Sequence, residues 1–473
     1  MGDFVGMTAL ELLHGYRKKS FSPVEVTEEL LNQIERLNRH VKAFCLIDRK
    51  TSLAYAREAE HRYMSGNVRG LLDGVPVAIK DVFYTPMWPT VFGSQIIDPE
   101  TTLGCAAPCI AALQRNGYTP IGKTTTPEFG WKAVTDNAID GITRNPWDRD
   151  KTSGGSSGGA AVAVSLGLSP LAVGADGGGS IRIPASFCGT IGFKPSFGQV
   201  PHWPLGTFSS LVHVGPLAST VEDCALMMNV ISEPDHRDIR AIPRRNIDFL
   251  AATEGRLIER TGKLRIAYSP SLGYVAPDPM VVSNVSASVM HFQELGAEVV
   301  EVDPGIDDAS AAFGCLFCAG IASIFRAMDS TRRQLVEPQL LEVAEQADKL
   351  SLPDYLDALK WRDNFVERLQ EFFLKYDLLV TPTLPITAFS AGVNVPDSNS
   401  GSLWYSWTPY TYPFNLSGHP AISINCGFSA SGLPVGLQIV GRKYADETVL
   451  CAAAALQNQQ GLKRRLPGWV DSV

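Results

Sequence analysis

The stretch Gly154-Gly155-Ser156-Ser157-Gly158-Gly159, then Ala160 to Leu168, Leu171-Ala172-Val173-Gly174-Ala175 and Asp176-Gly177-Gly178-Gly179-Ser180, decides how this chain folds. Nine glycines fall among its first 26 residues, against an average usage of about 7%. No charge interrupts Ser153 to Ala175, and by length alone that run would suit a membrane span. The interleaved glycines and serines dilute its apolar character, so it reads instead as a small-residue loop, a buried helix and a short strand. Glycine clusters let backbone approach backbone or ligand closely. One such cluster is a turn. Two, each carrying serines and joined by a helix and a strand, suggest a site.

Outward from this stretch, helix and strand patterns alternate. Ser22-Pro23-Val24-Glu25 has the cap, first-turn proline and third-position Glu of a capping box, and Val26, Leu30, Ile34, Leu37 and Val41 repeat at helical spacing. Residues 52–65 continue as an exposed helix. Val75–Ile79 is a short apolar strand ending at Lys80-Asp81. Ala106–Arg115 reads as helix closed by Gly117, Thr119–Gly122 as strand, and Met280–Leu295 as helix. Further strands fall at Leu264–Tyr268, Glu298–Val302, Tyr376–Val380, Ala421–Phe428 and Val435–Val440. This alternation predicts an α/β fold, a mixed β-sheet core covered by helices on both faces. No low-complexity linker divides it, so 1–473 is expected to be one domain.

Composition excludes several classes of function. Of 473 residues, 45% are hydrophobic and 19% charged, which is ample material for a core. Forty-one basic against 49 acidic side chains give a net charge of −8. No basic run exceeds Arg17-Lys18-Lys19, so nucleic acid is not an expected direct partner. Nor is a membrane. Nine scattered cysteines, and Asp3 and Glu11 where a signal peptide would be basic and then apolar, suggest a reduced, cytoplasmic protein. Cys315-x-x-Cys318 lacks a second pair nearby and sits among Phe313, Leu316, Phe317, Ile321 and Ile324, the setting of buried thiols.

Two motifs offer chemistry that their surroundings do not support. Gly117 to Thr124 matches G-x-x-x-x-G-K-T letter for letter. A phosphate-binding loop leaves a strand and opens a helix, whereas here a helix precedes and the middle reads as strand. Gly154-Gly155-Ser156-Ser157-Gly158 matches the nucleophile elbow G-x-S-x-G, which needs a buried strand before it. Polar Asn145 to Thr152 stands there instead. A Ser–His–Asp esterase, its base drawn from His202, His213, His236, His291 or His419, is retained as an alternative.

The third reading uses more of the chain. The segment Gly154 to Lys194 closely resembles the amidase signature family. The resemblance extends to Val75–Asp81, Arg144-Asn145-Pro146-Trp147-Asp148, Gly215-Pro216-Leu217 and Leu433-Pro434-Val435-Gly436-Leu437-Gln438. It implies N-terminal helices over 1–65, a signature core over 70–230 and a variable substrate-pocket region over 305–415. It also implies a Ser–cis-Ser–Lys triad, with Ser180 as nucleophile, Ser156 relaying the proton and Lys80 as base. The Gly155–Ser156 peptide is expected to be cis, and the N–H groups of Gly177, Gly178, Gly179 and Ser180 to form an oxyanion hole. Asp176, Arg182, Thr152 and Ser153 are expected to support the loops. Most relatives carry Thr or Ser where this chain has Gly177.

The implied function is hydrolysis of a small or aryl/acyl amide through an acyl-enzyme, with no cofactor or metal and the possibility of a homodimer. Within the family, the glutaminase subunit of a tRNA-dependent amidotransferase is the alternative; Thr125-Thr126-Pro127-Glu128-Phe129-Gly130 reads more like the free-standing amidases. Lys80 raises an energetic question. An ordinary Lys, of pKa about 10.4, is neutral in roughly one molecule per thousand at pH 7.5, a handicap of about 4 kcal/mol. Burial must lower that value. Asp81 next door would oppose this unless strand alternation turns it to the other face. Trp88, Phe129 and Trp131 are candidates for an apolar pocket or for the core.

Overall fold

Period-two segments of the sequence meet in one mixed sheet in the computed structural model, which describes residues 3–100, 102–204, 206, 208, 210–255, 257, 259, 262–326, 328–396, 403–462 and 466–472. The expected spans 1–65, 70–230 and 305–415 each include a few residues outside the described ones. In chain order the strands are β1 (Phe44–Leu46), β2 (Pro76–Lys80), β3 (Thr119–Thr124), β4 (Asp136–Asn137), β5 (Gly141–Ile142), β6 (Leu171–Asp176), β7 (Ile191–Lys194), β8 (His213–Ala218), β9 (Arg265–Tyr268), β10 (Glu298–Glu301), β11 (Leu378–Pro382), β12 (Ala421–Phe428) and β13 (Pro434–Gly441). β4 and β5 form a ladder of their own. The other eleven order across the sheet as β1-β3-β2-β6-β8-β7-β12-β13-β11-β9-β10. β2 runs parallel to β3 and β6, and β9 runs parallel to β10 and β11, while the pairs between these groups are antiparallel.

Alternation sends each strand's side chains into two cores. Val77 and Ile79 of β2 and Val173 of β6 pack with helices Pro108–Arg115, Val221–Ile231 and Asp446–Gln460. Ala78 and Ala172 face the other way, toward helices Pro23–Val41 and Gly158–Ser165. Each fully buried Val or Ile contributes about 1.5–3 kcal/mol relative to exposure, so a one-residue slip would forfeit both layers at once. A third core gathers under helices Ser310–Phe325, Pro338–Ala347 and Leu352–Lys375, against Leu379 and Val440.

Local signals act as their chemistry requires. Ser22 Oγ accepts from Glu25 N–H at 3.2 Å and Glu25 Oε2 accepts from Ser22 N–H at 2.7 Å, closing the predicted box. Helix Gly158–Ser165 is buried at all eight positions, as an all-round apolar helix must be. A side chain at Gly159 would meet Ala43 O and Thr125 Oγ1 at 2.4 Å, so only glycine lets this helix settle so close. One strand begins later than expected. Tyr376 N–H donates to Phe372 O, which carries the preceding helix on and delays β11 to Leu378.

Candidate active site

Lys80 ends β2, and Asp176 ends its parallel neighbour β6, so the carboxyl ends of adjacent parallel strands open onto one crevice, where open α/β sheets characteristically bind ligands. Strand alternation separates Lys80 from Asp81. The Asp81 carboxylate turns to the opposite face and pairs with Lys123 Nζ at 3.0 Å. Lys123 also donates to Phe83 O at 2.9 Å and Thr90 Oγ1 at 2.8 Å. The lysine of the P-loop-like motif is therefore a buried strut inside β3, with no helix opening after it.

The Lys80 ammonium nitrogen lies 2.7 Å from Ser156 Oγ and 3.0 Å from Ser157 Oγ. Burial lowers its pKa to about 7, against the opposing pull of the Asp176 carboxylate. The Gly155–Ser156 peptide is cis. Ser157 is a site residue that sequence reasoning missed, although the adjacent serine pair is a visible signal. Its hydroxyl donates to Ala175 O at 3.2 Å, and one hydroxyl carries one proton. Ser157 must therefore accept from Lys80. When Lys80 is neutral, that bond holds one N–H and leaves the lone pair available to the Ser156 hydroxyl. Thr152 Oγ1 accepts from Gly154 N–H at 3.1 Å, and Ser153 Oγ donates to Gly154 O at 3.1 Å, bracing this loop from below.

The second glycine cluster hangs on Asp176. Its carboxylate accepts from Gly179 N–H at 2.7 Å, Ile181 N–H at 3.1 Å and the Arg182 guanidinium at 2.9 and 3.0 Å. Burial would raise the Asp176 pKa, but Arg182 outweighs it and holds the carboxyl well below the usual range. Gly179, expected in the oxyanion hole, has its N–H engaged by this carboxylate. Arg182, fully buried, extends the brace to Thr411 O at 2.9 Å, Gln438 Oε1 at 2.8 Å and Asn415 Oδ1 at 2.6 Å. The three residues it reaches lie more than 200 positions downstream; Gln438 closes the Leu433–Gln438 motif, while nothing in the sequence singles out Thr411 or Asn415.

Lys80, Ser156, Gly177, Gly178 and Ser180 line one cavity of about 280 Å³. Tyr84, Phe92, Phe129, Phe208, Phe317 and Trp404 give it aromatic walls, and Lys80 is the only charged residue among the described lining. Of the three aromatic candidates, Phe129 lies here. Trp88 packs in the core with its indole N–H on Asp48 at 3.1 Å, and Trp131 donates to Glu337 at 2.8 Å away from the cavity. Of half-buried His202 and buried His213 and His419, only His202 reaches the cavity, and none bonds a serine hydroxyl among the described residues. Burial lowers the His202 pKa to about 4 and that of His419 to about 3. His419 stacks on Phe373. A Ser–His–Asp relay finds no support in this arrangement. Cys318 is buried and Cys315 half-buried on the apolar helix Ser310–Phe325.

The family profile described as Amidase matches residues 25–450. The chain belongs to the amidase family. An acylamidase from Rhodococcus erythropolis is 34% identical over 455 residues, covering 95% of this chain and 94% of that protein. A component of the glutamyl-tRNA(Gln) amidotransferase of Chloroflexus aggregans is 35% identical over 473 residues, 94% of each chain. Among solved structures, a bacterial aryl acylamidase of the amidase signature enzymes superposes with a TM-score of 0.90 at 29% identity, over 97% of each chain. Amidase-family membership thus accounts for the eleven-stranded mixed sheet and for the likeness read from Gly154 to Lys194. Among the described residues, no helix is long and apolar enough to cross a membrane.

Proposed function

We propose that this amidase acts alone, in the cytoplasm, as a serine hydrolase of uncharged aryl or acyl amides. The observation that carries the reading is the 2.7 Å contact between Lys80 Nζ and Ser156 Oγ in a cavity shared with Ser180. A lysine of pKa about 7 is largely neutral at pH 7.5 and serves as a base without the ordinary handicap. Ser180 Oγ attacks the carbonyl carbon, its proton passes to Ser156, and the Ser156 proton passes to Lys80. The carbonyl oxygen becomes an oxyanion facing the N–H groups of Gly177, Gly178 and Ser180, donors fixed before the charge develops. On collapse the C–N bond breaks, and the relay run backward protonates the leaving amine. Water then attacks the Ser180 ester, again losing its proton through the relay, and releases the carboxylate.

The aromatic, nearly uncharged cavity favours an aryl or acyl amide over glutamine, whose ammonium and carboxylate both need partners when desolvated. The likeness to amidotransferase components supplies the second reading. Purified protein is expected to release amine from an anilide such as acetanilide without a second protein, and to release little ammonia from glutamine. Activity on glutamine with none on anilides would favour the amidotransferase reading. A sulfonyl fluoride adduct located by mass spectrometry on Ser156, with Ser180 unmodified, would overturn the assignment of the nucleophile.

A further inference from the structure

Three consecutive glycines precede Ser180, and nothing in their own side chains fixes their peptide planes. A free Gly178–Gly179 peptide could rotate and turn the Gly178 carbonyl toward the cavity. Its partial negative charge would then face the developing oxyanion. In the structure this plane is held from both sides. The Gly179 N–H donates to Asp176 Oδ1 at 2.7 Å, and the Gly178 carbonyl accepts from Thr411 Oγ1 at 2.7 Å.

Thr411 is completely buried, and its own carbonyl accepts from Arg182 Nη1 at 2.9 Å. One residue thus holds both the flexible peptide and the arginine that orients Asp176. The approach is close because Gly179 has no side chain. A Cβ there would lie 2.4 Å from Thr411 Oγ1, at a φ of +130°. Gly178 is covered in the same way, by Trp404 and Phe313 at 2.6 and 2.7 Å from its Cβ position. The hydroxyl also lies 3.1 Å from Thr408 O. It has one proton to give, and Gly178 O is the nearer acceptor.

We infer that Thr411 is a positioning residue for the reaction, keeping the Gly178–Gly179 peptide turned away so that its neighbours present donors to the oxyanion. This rests on the proposed role of Ser180. Thr411 touches no reacting atom, so its loss weakens transition-state binding and leaves ground-state binding alone.

The test compares Thr411→Ser with Thr411→Ala, which lose the same methyl and differ only in the hydroxyl. Thr411→Ser is expected to keep kcat near wild type. Thr411→Ala is expected to lose about 10–100-fold in kcat on an anilide, less than the roughly 100–1000-fold loss when an oxyanion donor itself is removed, with KM changed less than about twofold. A phenylboronic acid, which forms a tetrahedral adduct on a serine, is expected to bind the Ala variant more weakly by a similar factor. A non-hydrolysable ketone-free competitive inhibitor of the same shape, an aryl ether, is expected to bind both alike. Equal kcat in the Ser and Ala variants, or equal losses for boronate and ether, would overturn the role of Thr411. If wild type itself forms no adduct on Ser180, it is the assignment of the nucleophile that fails, and the two failures are told apart by that control.

Discussion

Lys80, with its pKa lowered to about 7 by burial, gives the enzyme a pH signature. As the proposed base, Lys80 must be neutral, so kcat/KM is expected to rise through pH 7 and level off above pH 8, where an ordinary lysine would rise only near pH 10. A profile flat from pH 5 to 9 would exclude Lys80 as the titrating group. The same shift acts on stability. Between about pH 7 and pH 10.4 the unfolded chain holds a proton on this lysine that the folded chain lacks, so this group's contribution to stability rises with pH across that window. Ser157 tunes the base. As an acceptor it favours the charged amine over the neutral one, so Ser157→Ala is expected to move the rise to lower pH and to reduce kcat without abolishing it. Ser180→Ala is expected to abolish turnover, and the triple variant with Ser156→Ala and Lys80→Ala to be little worse, because residues acting as a unit are non-additive. His419→Ala is expected to keep kcat, since its ring packs on Phe373 away from the serines.

Strands and helices are legible wherever a local pattern has a local cause. The alternation of β2 foretells that Lys80 and Asp81 part, and Ser22 with Glu25 marks a helix start that the structure forms. What the sequence does not reveal depends on distant partners. Lys123 reads only as part of a phosphate-loop match that its surroundings do not support, until β3 places it against Asp81. Asn415 and Thr411 carry no motif of their own, and Gln438 is marked only as the end of the Leu433–Gln438 motif; their structural meaning comes from the Arg182 side chain that reaches them. The Lys123–Asp81 strut makes the prediction at this scale. Removing one partner of a buried pair leaves an uncompensated charge, so Lys123→Met is expected to lose about 3–5 kcal/mol in urea unfolding. Lys123→Met combined with Asp81→Leu is expected to recover part of it. Specific activity per folded molecule is expected to hold in Lys123→Met, because the pair lies on the face of β2 opposite Lys80. A loss of kcat at unchanged stability would contradict that separation.

Across the whole molecule, Lys80 and Ser156 come from the first third of the chain, and the residues that brace the Asp176–Ser180 loop, Thr411, Asn415 and Gln438, from its last quarter. The order of the sheet shows why. Strands β1, β3, β2, β6, β8 and β7 are drawn from residues 44–218, and β11, β9 and β10 from residues 265–382. No strand of one group pairs with a strand of the other. β12 and β13, residues 421–441, lie between them, joining β7 on one side to β11 on the other. A ribosome delivers these two strands after everything they join. Until then the nascent chain holds two part-sheets with β7 and β11 as open edges, the kind of edge that pairs with other chains. A polypeptide stopped after residue 417 is therefore expected to aggregate on refolding, and a separate peptide spanning 418–473, supplied during refolding, to suppress light scattering. If the truncated chain stays monomeric, its open edges are protected in some other way. The last strands to emerge are the keystone of an arch, and no ladder joins the two part-sheets until they arrive.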